Sequence, residues 1–143
     1  MYRRSYYKNG EISTEANYID GKLNGESVSY YKNGKIKFKE NYENGIKIGE
    51  SITFYENGQI DVKGNFKDDK ANGEFIGYYR SGKIKYKINF KDGIKHGLAS
   101  SYSEDGKIEN NVYYKNGKLD NSISAFYKEL FSTKENKKSS KSH

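Results

Sequence analysis

Apolar and polar residues alternate with a period of two along most of this chain. Ile36, Phe38 and Tyr42 stand at alternate positions, with Lys37 and Lys39 between them. The same alternation returns in the segment 84–90. This spacing predicts a half-buried antiparallel strand, because side chains of a strand point to opposite faces in turn, whereas a helix would distribute these residues around its whole circumference.

The alternating pattern recurs every 24 residues, without insertion or deletion. Each unit opens with an aromatic residue, followed by a glycine four positions later and an isoleucine two positions after that. The opening aromatics are Tyr6, Tyr30, Phe54, Tyr78, Tyr102 and Phe126; the glycines are Gly10, Gly34, Gly58, Gly82 and Gly106; the isoleucines are Ile12, Ile36, Ile60, Ile84 and Ile108. Recurrence of this kind predicts a repeat architecture in which each unit contacts mainly its neighbours.

The glycine near the start of each unit predicts a β-hairpin, as in the segment Lys32-Asn33-Gly34. An Asn-Gly pair often forms a two-residue turn, but that turn would divide the apolar residues between the two faces. A three-residue loop with the glycine at positive φ sets Phe54 across from Ile60 and keeps the apolar residues together. We therefore predict the three-residue loop, because the hydrophobic pattern fixes the register. The other connections, such as the segment 20–25, contain two glycines, and we expect them to be longer.

Two strands per unit and a final strand near residues 121–127 predict an all-β meander of about eleven antiparallel strands, roughly 50 Å long. The repeat sheet is expected to span residues 1–127. Residues 128–143 are predicted to form a C-terminal cap turn followed by a basic, disordered tail.

Composition favours a thin sheet over a thick globule. Leu, Ile, Val and Phe make up just under one fifth of the 143 residues, a fraction that alone would be typical of disordered, charged chains. The chain also contains 15 tyrosines, and each tyrosine can bury its ring while its hydroxyl stays in contact with water. A single sheet allows this for every unit.

Charge and cysteine content exclude several classes of function. The chain has no cysteine, so disulfides, thiolate metal sites and cysteine nucleophiles are absent. The net charge is +7, part of it comes from the basic tail, and the chain has few arginines. No nucleic-acid recognition motif is present either, so nucleic-acid binding is not favoured. Residues 1–25 contain no apolar run, which predicts a cytoplasmic chain, or a secreted or cell-surface chain if a signal peptide has been removed.

No constellation of catalytic or metal-ligating residues stands out. His96 lies in a predicted connection, and neither it nor His143 has partners at a spacing that suits a metal or a catalytic triad. Asp68 and Asp69 fit turn chemistry. Glu26, Glu50 and Glu74 recur at one position of the unit and are expected about 10 Å apart, too far for paired acid–base chemistry. We predict a non-enzymatic protein without a cofactor or a metal.

The unit Tyr-Tyr-x-Asn-Gly-Lys-Ile, continued by Tyr-x-x-Gly-x-x-x-Gly, resembles the MORN-type repeat in its bacterial variant. The resemblance covers about residues 6–127 in five in-phase copies. It implies an elongated, twisted, single-layer antiparallel sheet. It also implies a role in interaction, since many bacterial proteins of this type resemble the antitoxin components of toxin–antitoxin pairs. Eukaryotic relatives are linked to membrane attachment and scaffolding.

One surface is a candidate for partner binding. With a three-residue loop, the second tyrosine of each unit shares a face with lysines and points away from an apolar stripe on the other face. The predicted stripe comprises Ile36, Phe38, Tyr42, Ile60, Val62, Phe66, Ile84, Tyr86, Ile88 and Phe90. The candidate residues are Tyr31, Tyr55, Tyr79, Lys37, Lys39, Lys85 and Lys87. In one interpretation the lysine stems cover the rings and keep this face soluble. In the other, the rings and lysines bind a partner. The apolar stripe on the opposite face needs either strong twist or a second molecule to cover it.

These observations lead to two hypotheses of function. The first is a non-enzymatic repeat protein that mediates protein–protein interaction, as the antitoxin-like partner of a toxin. The alternative is a cell-envelope or surface scaffold that contacts an anionic membrane or a glycan through the Tyr/Lys face. Self-association is a further open alternative.

Overall fold

The computed structural model describes residues 1–120, which form one open antiparallel sheet of twelve strands. The strands are β1 (Tyr2–Tyr6), β2 (Ile12–Ile19), β3 (Lys22–Tyr30), β4 (Ile36–Glu43), β5 (Ile46–Phe54), β6 (Ile60–Lys67), β7 (Lys70–Ala71), β8 (Gly73–Tyr78), β9 (Ile84–Lys91), β10 (Ile94–Tyr102), β11 (Ile108–Lys115) and β12 (Lys118–Leu119). They neighbour one another in chain order, except that the short β7 and β8 both pair with β6. The predicted all-β repeat meander is confirmed.

Two boundaries of that prediction fall outside the described part of the chain. The strand expected near residues 121–127, and the cap turn and tail expected over residues 128–143, lie beyond residue 120. Within residues 1–120, no helix has the length and apolar character needed to cross a membrane.

The hairpin inside each unit has the predicted three-residue loop. In the second unit the Gly34 N–H donates to the Tyr31 carbonyl at 2.9 Å, and the Tyr31 N–H donates to the Lys35 carbonyl at 2.7 Å. Gly34 has φ of 85°, a left-handed conformation that glycine adopts without steric cost. The register places Phe54 opposite Ile60, as the hydrophobic pattern predicted.

The connections between units are shorter than predicted. Ile19 pairs with Lys22, which leaves a two-residue turn at Asp20 and Gly21, with φ of 51° and 76°. Positive φ at both positions is the signature of a type I′ hairpin. The prediction was wrong because the second glycine of the connection, Gly25, lies inside β3 with φ of 91°. It accommodates an irregularity of the strand rather than lengthening the turn.

The third unit has Asp68 and Asp69 in this turn, with φ of 50° and 67°. Aspartate tolerates the left-handed conformation better than most residues. The Asp69 carboxylate also accepts a hydrogen bond from the Lys47 N–H at 2.7 Å. The two aspartates therefore serve the turn, as predicted.

A β-bulge follows each hairpin loop and shifts the alternation of side chains by one residue. Thr53 pairs with Val62 and the next residue, Phe54, pairs with Ile60, so that Asp61 is an extra residue. Paired residues share a face, and Thr53 and Phe54 point to opposite faces. Ile60 and Val62 therefore lie on opposite faces. Equivalent shifts occur at Ser5/Tyr6, Ser29/Tyr30, Gly77/Tyr78 and Ser101/Tyr102.

The predicted single apolar stripe is therefore wrong, because one inserted residue moves everything beyond it to the other side of the sheet. We call the two surfaces the tyrosine face and the isoleucine face. The tyrosine face carries Tyr31, Tyr55, Tyr79, Phe38, Glu40, Tyr42, Val62, Phe66, Phe75, Tyr86, Ile88 and Phe90, with Ser27, Ser51, Thr53 and Ala99 between them. The isoleucine face carries Ile36, Ile60, Ile84, Tyr30, Phe54, Tyr78, Val28, Ile52, Ile76, Lys39, Lys63 and Lys87.

No second layer covers either face in the described residues. The buried apolar residues are small: Ala16 and Ala99 are each 7% exposed and Val28 is 8% exposed. Among residues 1–120 no large side chain is fully buried. The rings of both faces are half-buried by lateral contact within one sheet, which is an unusual arrangement for a stable domain.

Candidate partner-binding surface

The second tyrosine of each unit links that unit to the next. Its hydroxyl donates a hydrogen bond to the carbonyl of the opening aromatic residue 23 positions later. The four bonds are Tyr7 to Tyr30 at 2.5 Å, Tyr31 to Phe54 at 2.6 Å, Tyr55 to Tyr78 at 2.5 Å and Tyr79 to Tyr102 at 2.6 Å. The fifth unit has Ser103 at this position, and the Ser103 hydroxyl bonds locally to Asp105. These tyrosines hold the stack of units together.

The structure divides the predicted Tyr/Lys surface. The Lys37 ammonium lies 5.8 Å from the centre of the Tyr31 ring, and the Lys85 ammonium lies 5.7 Å from the centre of the Tyr79 ring. Both lysines are the extra residues of their bulges, which turns them toward the tyrosine face.

Lys39 and Lys87 do not join them. Lys39 pairs with Val28 and Ile52, and Lys87 pairs with Ile76, so these two lysines lie on the isoleucine face. The expectation that all the candidate lysines share the tyrosines' face was wrong, because it extended a strict alternation across the bulge. A partner-binding role for the candidate residues stays a prediction.

A cluster of three phenylalanines lies on the tyrosine face; Phe66 and Phe90 were predicted to lie in the apolar stripe, but Phe75 was missed. The Phe75 ring packs edge-on against Phe66 at 5.5 Å and against Phe90 at 5.1 Å between centroids. Two glycines make room for rings here: a Cβ at Gly64 would lie 2.5 Å from Phe75 atoms, and a Cβ at Gly77 would lie 2.1 Å from Tyr86. We call Val62, Phe66, Phe75, Tyr86, Ile88 and Phe90 the aromatic patch.

A signal for this patch was present in the sequence. Phe75 stands where the other units have Arg3, Ser27, Ser51, Ala99 and Ile123. Aligning the units and asking where one departs from the others would have found it. The search for a recurring pattern passes over such departures.

Five units of this geometry agree with one known repeat family. A family model described as the MORN repeat variant matches residues 2–20, 23–44, 47–68, 71–92 and 95–116. The chain belongs to the MORN repeat family. No curated protein matches it significantly. MORN repeats generally occur in repeat proteins that mediate interactions, and the family is not an enzyme family.

Beside the aromatic patch, this MORN protein has a polar cluster around Glu40. The Tyr42 hydroxyl donates to the Glu40 carboxylate, and the Lys47 ammonium donates to it at 3.1 Å. The Lys47 ammonium also lies 4.0 Å from the centre of the Phe66 ring. Burial and the bond to Glu40 raise the pKa of Tyr42 above its ordinary value. Lys47 thus joins the polar part of the tyrosine face to the aromatic patch.

The MORN sheet offers little for catalysis in the part that the structure describes. Across residues 1–120, no three His, Cys, Asp or Glu side chains converge on a metal-sized site. His96 is exposed in β10. Glu26, Glu50 and Glu74 are exposed and stand opposite asparagines, in the ladder that the sequence predicted. The absence of enzymatic activity, cofactor and metal remains a prediction.

Several tyrosines of the MORN sheet have raised pKa values. Burial is the largest cause of the raised pKa for Tyr31, Tyr55 and Tyr86, and nearby acids add to it, among them Asp61 for all three. For Tyr55 the second cause is a hydrogen bond with Asp61. The neutral phenol is the form that the folded sheet stabilises.

We expect the stability of the MORN sheet to fall in alkaline solution. A phenol with a raised pKa binds its proton more tightly in the folded chain. Its contribution to stability is complete below the ordinary pKa of about 10 and is lost as the pH rises through the higher folded value. Urea unfolding at increasing pH should show midpoints that fall above about pH 10. Phenolate absorbance should appear at higher pH in the folded chain than in concentrated urea, and coincident titrations in both states would contradict the expectation.

We also expect Tyr31→Phe to lower the free energy of unfolding by about 1 kcal/mol, since it removes the hydrogen bond to the Phe54 carbonyl and leaves the ring in place. Tyr6→Phe is the matched control, because Tyr6 is 59% exposed and should change stability little. Urea unfolding of both variants measures the difference. Equal losses would show that the inter-unit bond contributes nothing specific.

Proposed function

We propose that this MORN repeat protein is a non-enzymatic interaction module that binds another protein through its tyrosine face. The observation that carries the proposal is the single open layer: the rings of this face are only half-buried, with no second layer over them in residues 1–120. Large contiguous apolar patches on the surface of a protein are typical of interaction sites.

The tyrosine face suits a partner better than the isoleucine face does. On the isoleucine face, Lys39, Lys63 and Lys87 stand on every second strand and alternate with Ile52 and Ile76. A lysine row of this kind keeps an apolar surface in water and opposes desolvation. On the tyrosine face, the strands from β6 to β9 place rings and aliphatic residues next to one another without an interposed lysine row. Aromatic residues are also enriched in the centres of protein interfaces.

The proposal is tested by recovery of the tagged full chain from its native cell under gentle conditions. We expect a protein to co-purify in a fixed ratio to the chain. Recovery of the chain alone, both with and without chemical cross-linking before lysis, would refute the proposal. Phosphatidylserine-containing vesicles added to the purified chain measure the alternative, a membrane-contacting scaffold, and binding to them in the absence of any protein partner would favour it.

A finer proposal is that the partner is a toxin which the MORN protein neutralises. What supports it is the resemblance of the repeat unit to those of bacterial antitoxin components. The test is co-expression of the chain with each neighbouring open reading frame of its genome. We expect one such frame to arrest growth alone and to be harmless together with this chain. If no neighbouring product is toxic, this finer form of the proposal is wrong and the partner is of another kind.

A further inference from the structure

We infer that the aromatic patch of the tyrosine face is the docking site for an apolar protein segment flanked by acidic residues. The inference rests on the proposed function and names the chemistry of the partner. It follows from two independent observations: a break in the repeat confined to this part of the sheet, and the charges around it.

Two positions in contact with each other, Phe75 and Gly64, depart from the repeat together. In a repeat protein, whatever the fold requires recurs in every unit. Phe75 lies over Gly64. The residues equivalent to Phe75 are Arg3, Ser27, Ser51, Ala99 and Ile123, and those equivalent to Gly64 are Ala16, Glu40, Ile88 and Val112. The other units form the same strands without this pair. The sheet therefore does not need the aromatic patch, which leaves it free to serve binding.

The patch is continuous across three neighbouring strands, β6, β8 and β9. Val62 pairs with Gly77, Gly77 pairs with Tyr86, and Phe75 pairs with Ile88. Because the glycines have no side chain, the rings of Phe75 and Tyr86 spread over the backbone. The corresponding surface over β3 to β5 is more polar, because Phe38 and Tyr42 alternate there with Ser27, Ser29, Glu40, Ser51 and Thr53. Uninterrupted contact between rings is thus found over β6 to β9.

Cations surround the patch at both ends of its strands. Lys47 and Lys95 lie near the inter-unit turns, where they pair with Tyr42 and Phe90. Lys85 and Arg80 lie near the hairpin loops, with the Arg80 guanidinium 5.4 Å from the centre of the Tyr55 ring. Across the sheet, the spacing of neighbouring strands puts Lys47 and Lys95 about 19 Å apart. Along β9, Lys85 lies about 17 Å from Phe90, the residue that pairs with Lys95.

Of the acids in this region, Glu40 and Asp61 have partners, and Glu104 and Glu109 interact with Tyr79 near the hairpin loops. Glu40 bonds to Tyr42 and Lys47, and Asp61 interacts with Tyr55. The ion pairs of residues 1–120 are Arg4–Glu15, Lys47–Glu40 and Lys107–Asp105, so that Arg80, Lys85 and Lys95 take part in none of them. An apolar centre with a cationic rim is complementary to an apolar segment with acidic flanks.

The inference is tested by photo-cross-linking in the native cell with the full chain. p-Benzoylphenylalanine is placed at position 88, in the aromatic patch, or at position 76, which is also an isoleucine in a central strand but lies on the isoleucine face. We expect position 88 to cross-link to a partner peptide that combines apolar residues with an excess of Asp and Glu, and position 76 to cross-link at least about tenfold less. Urea unfolding of both variants confirms that each is folded.

The outcomes separate the inference from the proposed function. If a partner co-purifies but position 88 does not cross-link to it, the inference is wrong and the proposed function stands. A peptide without an acidic excess, a second copy of this chain, or the chain's own residues 121–143 at position 88 would also overturn the inference. If no partner co-purifies and neither position cross-links, the proposed function itself fails.

Charge reversal supplies the second measurement. Lys85→Glu combined with Lys95→Glu is expected to reduce partner recovery about tenfold, because the rim cations attract the acidic flanks. The matched control is Lys63→Glu combined with Lys87→Glu, which makes the same charge change on the isoleucine face and is expected to leave recovery unchanged. Equal losses in the two double variants would contradict the inference.

Discussion

Deletion of residues 37–60 is expected to leave a folded sheet that is shorter by one unit, whereas deletion of residues 37–59 is expected to disrupt it. The first deletion removes one period of 24 residues and joins Ile36 to Asp61, in place of the Ile60–Asp61 junction. The hairpin loop, the bulge and the side-chain alternation then continue in phase. The second deletion keeps one residue more and puts the following strand out of phase with its neighbour.

The in-phase variant should remain cooperative. Its denaturant m-value should fall by about one fifth, the share of one 24-residue unit in the 120 described residues, because m scales with the surface exposed on unfolding. Small-angle scattering should show a particle about 10 Å shorter. The out-of-phase variant should unfold at a much lower urea concentration or not fold at all. Equal stability of the two deletions would show that the 24-residue register does not determine the fold.

Gly77→Ala is expected to destabilise the sheet by about 1–3 kcal/mol. A Cβ at this position would lie 2.1 Å from one ring carbon of Tyr86 and 2.4 Å from another. A ring held over the backbone of β8 cannot accept that atom without moving, and its movement would disturb Val62 on the neighbouring strand. The φ of Gly77 is not in the left-handed region, so the expected loss comes from the contact with Tyr86 and not from backbone strain.

A double-mutant cycle isolates that contact. In the Tyr86→Ala background, Gly77→Ala should cost little, because the clashing ring is gone. Ser101→Ala is a control at the equivalent position of the next unit, and it should have a small effect. Urea unfolding gives all the free energies. If Gly77→Ala lowers the free energy of unfolding equally with and without the Tyr86 ring, the ring does not pack over Gly77 as described.

The strands and the hairpin loops were predictable from the sequence because their signals are local. Alternation of Phe38, Glu40 and Tyr42 indicates a strand, and a glycine at the end of a three-residue loop indicates positive φ. Both signals act within a few residues. The repeat then multiplies each of them fivefold, which makes the fold class clear even with few aliphatic residues.

The bulges were not predictable in the same way. An extra residue such as Asp61 is defined by what the partner strand places opposite it, and no residue type marks that position, since the equivalent residues are Lys37 and Lys85. The error at the bulge carried over to the candidate surface. It placed Lys39 and Lys87 with the tyrosines, although the structure places both lysines on the isoleucine face.

The bulge after the hairpin loop places Ile60 and Val62 on opposite faces of one sheet. Nuclear Overhauser effects between methyl groups, aromatic rings and backbone protons of the full chain test this placement most directly. We predict contacts of the Ile60 methyls with the Phe54 ring, and contacts of the Val62 methyls with the Gly77 α-protons and the Tyr86 ring. Contacts of the Ile60 methyls with the Tyr86 or Phe66 ring would contradict the placement of Ile60 and Val62 on opposite faces.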